Sequence, residues 1–533
     1  MNVIESVMNV FSGERAKQHQ RDRGILAFRD AQLKVLSRVV NTGYSHGGAA
    51  RRKPWVKGWR YRSKSPKSDI EQNRKTLRER SRDLAMNSPI GAAAVNSTRT
   101  NAVGCGLVPK PKIDYELLGI SREEARSLEK QIRQEFKIWA ESTLCDVADQ
   151  NNFYELQQIA FSDWLRNGEE FALISYEKEA PYMPYQLRLR LIEGDRISTP
   201  GSLSGEYFQD KKLETGNTVM NGVEITKQGK VVAYYVSSVF PDENGGSRQE
   251  WTRIPKRGKA TGNPNILHIF NGERAEQYRG VPFLAPVIES IKQISRYTEA
   301  EIMAAIINSL FSVFITTENG DDLEGFGGED DELDEPIDEN EVTLGAGNVN
   351  FLKVGEDVKT VSANHPSGNF DAFLGTMAKL VGAALEIAPE ILMKSFNKSF
   401  SASKGAMNES WKSIKMRRAW FINDFCQEIY ELWLAEAVSK GRINAPGFFN
   451  NLIIRKAYTN CTWVGPTQGQ IEPGKEVAAA AQRVKEGFST REDECAALNG
   501  SDFEDIIRTL EYENELMKKA NKALEEDETN GES

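Results

Sequence analysis

The sequence is poor in the residues that bind metals or perform redox and proton-transfer chemistry. It holds four histidines, none in an HExxH motif, and five cysteines in 533 residues. The cysteines are scattered, with no pair at the CxxC spacing: Cys105, Cys145, Cys426, Cys461 and Cys495. This pattern excludes a zinc ribbon and argues against a disulfide scaffold. We therefore predict no metal site, no cofactor and no catalytic residue, and we expect a reducing compartment.

Long apolar segments are also missing. The longest stretch without a charged residue runs from Ile302 to Thr317 and includes polar side chains such as Asn308, Ser309 and Ser312. A membrane span needs about 20 apolar residues. We interpret the stretch as a buried helix that runs into a strand, and we expect no membrane association.

Signals for nucleotide binding or general-base catalysis are weak. One Walker-like match begins at Gly469, but Glu476 replaces the Ser/Thr that would bind magnesium, and Pro473 removes a backbone amide. A helix N-terminus is the better interpretation of that segment. His268 lies in the apolar run ILHIF, where an interior histidine is favoured over a catalytic base.

Charge is distributed unevenly, although the formal net charge is only −9. Residues 51–82 carry thirteen Lys and Arg against three acids, and residues 318–341 carry thirteen acids and no base. The acidic run lacks the alternation and central glycine of an EF-hand, so a solvated loop is favoured over a metal site. In the basic segment, Trp55, Trp59 and Tyr61 alternate with cations, which suits nucleic acid. The other interpretation, slightly favoured by the acidic composition, is an interface strand whose arginines pair with a neighbouring subunit's acids.

Hydrophobic periodicity predicts an α+β protein. Helical spacing indicates helices over residues 69–85, 121–141, 152–167, 370–387 and 402–439, and a wide isoleucine stripe over 288–306. Between Glu169 and Phe270 the pattern changes to period two, which is typical of strands, with a hairpin around Gln228-Gly229. Near the C-terminus, Ser489 and Glu492 match a capping box.

Five segments, in order along the chain, carry a resemblance to a known family. They are LRLIEGDRIS (189–198), ITKQGKVVAYYV (225–236), AEQYRGVPFLAPVI (275–288), SFSASKGAMNESWKSIKMRRAWF (399–421) and CTWVGPTQGQIEPGKEVAAAAQRVKEGFSTREDECAALNGSDFEDI (461–506). Together they resemble the lambda-like portal proteins of tailed phages, over about residues 55–515. The acidic run at 318–341 departs from the family pattern.

The resemblance implies a portal-type fold that assembles as a homo-oligomeric ring, typically of twelve subunits, at one capsid vertex. Its parts would be a mixed α/β wing, long stem helices, a small α/β clip and a helical crown. The expected boundaries are 1–55 N-terminal arm, 56–280 wing, 281–311 first stem helix, 312–362 clip with the acidic loop, 363–390 second stem helix, 391–404 tunnel loop, 405–465 long helix and return to the wing, 466–520 crown, and 521–533 tail.

The same resemblance implies three sets of site residues. DNA in the channel would meet the tunnel loop through Lys394, Ser395, Asn397, Lys398, Ser399, Ser401, Ser403 and Lys404. Terminase would meet the clip through Glu329, Asp330, Asp331, Glu332, Asp334 and Glu335. Neighbouring subunits would pack on the stem through Ile288, Ile291, Ile302 and Ile306.

The implied function is passage of double-stranded DNA during packaging and ejection. Expected partners are the terminase large subunit, head-completion or adaptor proteins, and the major capsid and scaffold proteins. The expected location is the virion, after assembly in the host bacterial cytoplasm. Two alternatives stay open: a packaging enzyme, an ATPase or nuclease with an atypical site, and a different head–tail connector ring.

Overall fold

The computed structural model divides the chain into two units, Met1–Ser65 and Pro66–Ser533. It describes residues 13, 17–32, 49–50, 53–201, 210–241, 249–309, 313–315, 349–351, 370–395, 400–469, 472–501 and 503–531. In the first unit, residues 17–32 form helix α1, and a 3-10 turn covers Pro54–Val56.

Helices make up most of the second unit. In chain order they are α2 (Gln72–Asn87), α3 (Pro89–Ala102), α4 (Tyr115–Leu118), α5 (Arg122–Ala140), α6 (Phe153–Asn167), α7 (Ile288–Ser309), α8 (Phe370–Leu385), α9 (Pro389–Met393), α10 (Phe400–Phe421), α11 (Gln427–Ser439), α12 (Leu452–Thr459), α13 (Pro473–Lys485), α14 (Arg491–Leu498) and α15 (Phe503–Gly531). Within the described residues, no helix combines the length and apolar character that a membrane crossing requires.

Local sequence explains where the central helices begin and end. Ser121 and Glu124 form a capping box at the start of α5, and Asn152 and Glu155 form another at the start of α6. Helix α6 is terminated by Gly168, the residue after Asn167, whose φ of 88° lies in the left-handed region that glycine adopts without strain.

The strands lie mainly between α6 and α7. They are β1 (Val108–Pro111), β2 (Glu169–Tyr176), β3 (Leu187–Glu193), β4 (Lys211–Lys212), β5 (Thr218–Met220), β6 (Val223–Ile225), β7 (Val231–Ser237), β8 (Trp251–Pro255), β9 (Ile266–Phe270), β10 (Val313–Ile315), β11 (Val349–Phe351) and β12 (Cys461–Val464).

These strands form two antiparallel sheets and two strand pairs. One sheet has the order β3-β2-β9, with Phe171 of β2 opposite both Ile192 and His268, and the other is the meander β4-β5-β6-β7-β8. Strand β1 pairs antiparallel with β12, and β10 pairs parallel with β11.

Two hydrophobic clusters hold the second unit together. The larger cluster centres on aromatic side chains of α5, α6 and α11, such as Phe136 and Trp433, whose ring centroids lie 4.9 Å apart. The smaller cluster, which includes Phe171 and Tyr234, joins the two sheets. No buried side chain of the described parts of α13–α15 belongs to either cluster. Those helices contact the remainder of the unit through ion pairs instead, including Lys110–Glu492 at 2.5 Å.

The structure confirms the mixed helix and strand composition and most predicted helices. Three predictions need correction. The long helix begins at Phe400, and the π-helical turn Ile422–Cys426 interrupts it. Thr490, and not Ser489, caps α14, because the Thr490 hydroxyl accepts a hydrogen bond from the Asp493 amide at 3.1 Å. Finally, α15 continues through the predicted boundary between crown and tail at 520/521.

Candidate functional site

The two predicted stem helices, α7 and α8, lie against one another. The ring of Tyr297 on α7 lies 4.6 Å from that of Phe373 and 5.8 Å from that of Phe370, both on α8. Nearer the wing, Ile291 of α7 and Val381 of α8 are fully buried in the larger hydrophobic cluster. The larger hydrophobic cluster therefore anchors one end of this helix pair.

Farther along, the same helices carry apolar side chains that the chain leaves uncovered. On α7 these are Ile302, Met303 and Ile306, which are 54%, 57% and 47% exposed. On α8 Phe373 is 42% exposed, and Leu380, beside the buried Val381, is 59% exposed. Ile302 and Ile306 are four residues apart and so share one face of their helix. An exposed apolar face of this kind is typical of an association surface.

The four isoleucines predicted for the subunit contact thus divide into two pairs. Ile288 and Ile291 are buried in the chain's own core, so a neighbouring subunit cannot reach them in this structure. Ile302 and Ile306 are accessible. The sequence could not separate the pairs, because both follow the same helical stripe.

The segment predicted as a tunnel loop is shorter than expected. Helix α9 ends at Met393, and Lys394, with a φ of 50°, is exposed, as is Ser395. Helix α10 already includes Ser401, Ser403 and Lys404. The side chain of Ser403 is buried, and Lys404 pairs with Glu476 of α13 at 3.5 Å. Asn397, Lys398 and Ser399 lie outside the described residues.

Correcting the prediction, Ser403 does not face outward, since it sits on the inner side of the first turns of α10. Of the predicted tunnel-loop residues, Lys394 and Ser395 have side chains that the structure shows exposed. The six acids predicted to face terminase, Glu329 to Glu335, lie outside the described residues, as do all of 316–348.

The corner between α8, α9 and α10 holds the segment in place. Ser410 accepts a hydrogen bond from the Ala388 amide at 2.6 Å, and Arg417 pairs with Glu386 at 3.1 Å. Burial lowers the pKa of Arg417 below its usual value. A groove of about 540 Å³ opens beside this corner, lined in part by Lys379 and Met416.

A buried ionic group, which the sequence did not predict, lies between α2, the start of β2 and the segment that precedes α7. We call it the anchor cluster. Glu169, at the start of β2, is its centre: Arg279 donates to both of its carboxylate oxygens at 2.6–2.9 Å, and Arg78 donates to one of them. Four guanidinium groups face four carboxylates in the cluster: Arg74, Arg78, Arg82 and Arg279 with Glu71, Glu169, Glu193 and Asp195.

The electrostatics of the anchor cluster keep its central carboxylate ionised. Burial alone would raise the pKa of Glu169, but Arg279, the hydrogen bond from His268 and Arg78 hold it well below its usual value. Burial, together with Arg279 and Arg78, lowers the pKa of Arg74 to about 10. Because every charge has an opposite partner, the cluster can remain buried without a net charge.

The anchor cluster joins the segment before α7 to strand β2 and to the turn after β3. Arg279 also donates to the backbone carbonyls of Gly194 at 2.7 Å and Ile197 at 3.0 Å, and the Gly280 amide donates to Glu169 at 3.0 Å. A Cβ on Gly280 would come within 1.9 Å of the Gly168 carbonyl oxygen. The chain therefore enters the segment before α7 through a close backbone crossing with the turn between α6 and β2.

His268 belongs to the same cluster and confirms the prediction of an interior histidine. Its Nε2 lies 3.0 Å from Glu169, and its ring stacks between Phe171 and Phe270. Burial lowers the pKa of His268 to about 4, although the hydrogen bond to Glu169 opposes this shift. Among the described residues, no group of three or more His, Cys, Asp or Glu side chains is placed to hold a metal ion.

Comparisons with known proteins were made for the whole chain. A family model described as "Phage portal protein, lambda family" matches residues 52–418. The chain is 25% identical to "Portal protein B" of Escherichia phage lambda, over 87% of this chain and 88% of that protein. It is 24% identical to "Portal protein" of Escherichia phage N15, with the same coverage.

A solved structure titled "Virion of native gene transfer agent (GTA) particle" is similar to 80% of this chain and to 94% of its own, with 13% identity and a TM-score of 0.39. The family match spans more than half of the sequence, from the basic segment through both stem helices to most of α10. The chain belongs to the lambda family of phage portal proteins.

Proposed function

We propose that the chain forms a homo-oligomeric ring of twelve subunits at one capsid vertex, through which DNA enters during packaging and leaves during ejection. The observation that carries the proposal is the family match across the stem together with the apolar faces that α7 and α8 leave exposed. The family is structural and not catalytic, so the chain is not a packaging ATPase or nuclease.

The stem supports the ring through physical chemistry. Burying side chains such as Ile302, Ile306 and Leu380 against a neighbour removes apolar surface from water, at about 25 cal/mol for each Å². A repeated head-to-tail contact between copies closes into a ring when the rotation at each contact divides the circle evenly. The uncovered apolar face then disappears in the assembly.

Substituting one stem isoleucine tests the ring. Ile302→Glu places a charge at the proposed contact, and we expect the purified protein to lose its ring while each subunit stays folded. Ile138→Glu is the matched control, because Ile138 is 44% exposed on α5 of the wing. Light scattering after size exclusion gives the mass, and circular dichroism verifies folding. A ring that persists in the Ile302 variant contradicts this role for the stem.

The predicted tunnel segment, residues 391–404, holds three cations and no acid, and a channel that must release DNA can use them only for brief phosphate contacts. Neutralising many phosphates would give tight, salt-dependent binding. Lys404 is already paired with Glu476, which leaves Lys394, exposed at the corner after α9, as a candidate for brief phosphate contacts. Lys398 is the second candidate. A loop that is merely solvated is the alternative.

The acidic run at 318–341 is the proposed docking surface for terminase, and afterwards for head-completion or adaptor proteins. Twelve copies carry 156 acids in this run, thirteen in each chain, and such a rim attracts basic partner surfaces within about 8 Å at physiological salt. Major capsid and scaffold proteins are the proposed partners during assembly in the host cytoplasm.

Neutralising the acidic run separates docking from assembly. Replacing Glu329, Asp330, Asp331, Glu332, Asp334 and Glu335 with Gln or Asn should weaken terminase binding severalfold and leave the ring mass unchanged. A control variant with as many exposed wing acids neutralised should bind terminase normally. Surface plasmon resonance on assembled rings measures the affinity, and unchanged terminase affinity in the acidic-run variant excludes this docking role.

A further inference from the structure

The structure divides the basic segment 51–82 into two parts. In α2, Arg74 and Arg78 pair with Glu169 of the same chain, and Arg82 pairs with Glu193 and Asp195. The prediction that these arginines pair with a neighbouring subunit is therefore wrong. The remaining part is Lys53–Lys64 in the first unit, which we call the aromatic–basic strip.

Three aromatic side chains of the strip are largely exposed. Trp55, Trp59 and Tyr61 are 74%, 68% and 65% accessible to solvent. The turn that separates the two tryptophans is held by hydrogen bonds from the Val56 amide to the Lys53 carbonyl at 3.0 Å and from the Trp59 amide to the Val56 carbonyl at 3.1 Å. Lys53 lies 5.1 Å from the centroid of the Trp55 ring. Flat ring faces are thus presented beside cations.

The strip has five cations and no acid: Lys53, Lys57, Arg60, Arg62 and Lys64. No Asp or Glu occurs between Asp30 and Asp69, and residues 1–68 hold fifteen Lys and Arg against four acids, a net +11. Most of the remaining chain carries no net negative charge that could pair with the cations of the strip. Residues 318–341 carry −13 and residues 472–533 carry −9, which leaves +2 for residues 69–317 and 342–471 together. This distribution favours a polyanion over the wing or stem of another copy.

We propose that the aromatic–basic strip binds nucleic acid with unpaired bases, with the cations on phosphates and the aromatic rings stacked on bases. Cations alone would suit any polyanion, but exposed indole and phenol rings add a preference for a ligand that has flat aromatic faces. In a duplex those faces are already stacked on one another. Single-stranded DNA and RNA share this chemistry, and this inference does not depend on ring formation.

Fluorescence anisotropy with the full-length protein tests the proposal. The probes are a labelled 15-nucleotide dT strand, the matching RNA strand, a 15-base-pair duplex and polyglutamate. We expect the single strands to bind more tightly than the duplex at equal salt. Comparing dT with RNA distinguishes the two sources of unpaired bases, and polyglutamate reports binding that depends on charge alone.

Two strip variants separate stacking from charge. Trp55→Leu with Trp59→Leu should weaken single-strand binding about tenfold or more and leave duplex binding unchanged. Lys57→Gln with Arg60→Gln and Arg62→Gln should reduce the slope of log K against log salt by about 2, at about 0.7 per phosphate. Tyr182→Leu is the control, because Tyr182 is 91% exposed elsewhere.

Two outcomes overturn the proposal. Equal binding of single strand, duplex and polyglutamate, unaffected by the tryptophan changes, would reduce the strip to a general anion-binding surface. Absence of binding to every oligonucleotide, combined with a changed particle mass in the strip variants, would assign the strip to a protein interface. Either result leaves the proposed ring to be judged by its own test.

Discussion

Glu169→Gln removes one charge from the anchor cluster and almost no volume. In the native cluster four arginines face four carboxylates, and Glu169 is fully buried. The variant leaves a net positive charge among Arg74, Arg78 and Arg279, all of which are buried. Removing one partner from a buried ionic group costs about 3–5 kcal/mol, a large share of a typical 5–15 kcal/mol free energy of unfolding.

Urea titration followed by tryptophan fluorescence measures this loss, at one fixed subunit concentration because assembly adds to apparent stability. Glu79→Gln on α2 is the control: its side chain is 56% exposed and 3.9 Å from Lys75, so a change below about 1 kcal/mol is expected. A second variant tests charge balance directly. Adding Arg74→Gln to Glu169→Gln should recover at least about 1 kcal/mol, since it removes the excess charge.

A loss of less than about 1 kcal/mol for Glu169→Gln would refute the reasoning. So would a double variant that is less stable than Glu169→Gln alone, because charge balance would then not be what keeps the cluster buried. The same test bears on the stem, since Arg279 and Gly280 join it to the wing through Glu169.

Two further predictions concern the same region. The pKa of His268 is about 4 in the folded chain against 6.5 in the unfolded chain. The neutral histidine therefore contributes its full share of folding stability above pH 6.5, and this share falls by on the order of 3 kcal/mol as the pH drops towards 4. His268→Gln should make the urea unfolding midpoint less dependent on pH over this range, and an unchanged pH dependence contradicts the assignment. Gly280→Ala should cost about 1–3 kcal/mol because its Cβ meets the Gly168 carbonyl. A Cβ at Gly405 in α10 would contact nothing within 4 Å, so Gly405→Ala should instead increase the free energy of unfolding by about 0.5–1 kcal/mol. Thermal melts of both variants test this, and equal shifts of the melting temperature would contradict the steric argument.

Local patterns predicted much of the fold. Apolar positions at helical spacing located α5 and α6 to within one residue at each end, because that pattern depends only on neighbouring turns of the same helix. The π-helical turn at Ile422–Cys426 was not predictable in this way, since its residues have the same apolar character as the helices on either side.

The anchor cluster was missed for a different reason. Glu169 lies 90 or more residues from most of its partners in sequence, and period-two patterning only marks it as the start of a strand. The available signal was Glu169 at the start of a largely apolar strand, where a buried carboxylate needs an opposite charge. Likewise, the pairing of Lys404 depends on Glu476 of α13, which lies 72 residues later in the sequence.

The mass of the purified native particle tests the proposed ring most directly. Native mass spectrometry with negative-stain images of the same sample should show particles near 718 kDa, about twelve times the 59.8 kDa chain, each with a central hole. Another ring size would correct only the number of subunits. Chains that remain at 59.8 kDa, even when produced together with the scaffold protein, would contradict the ring.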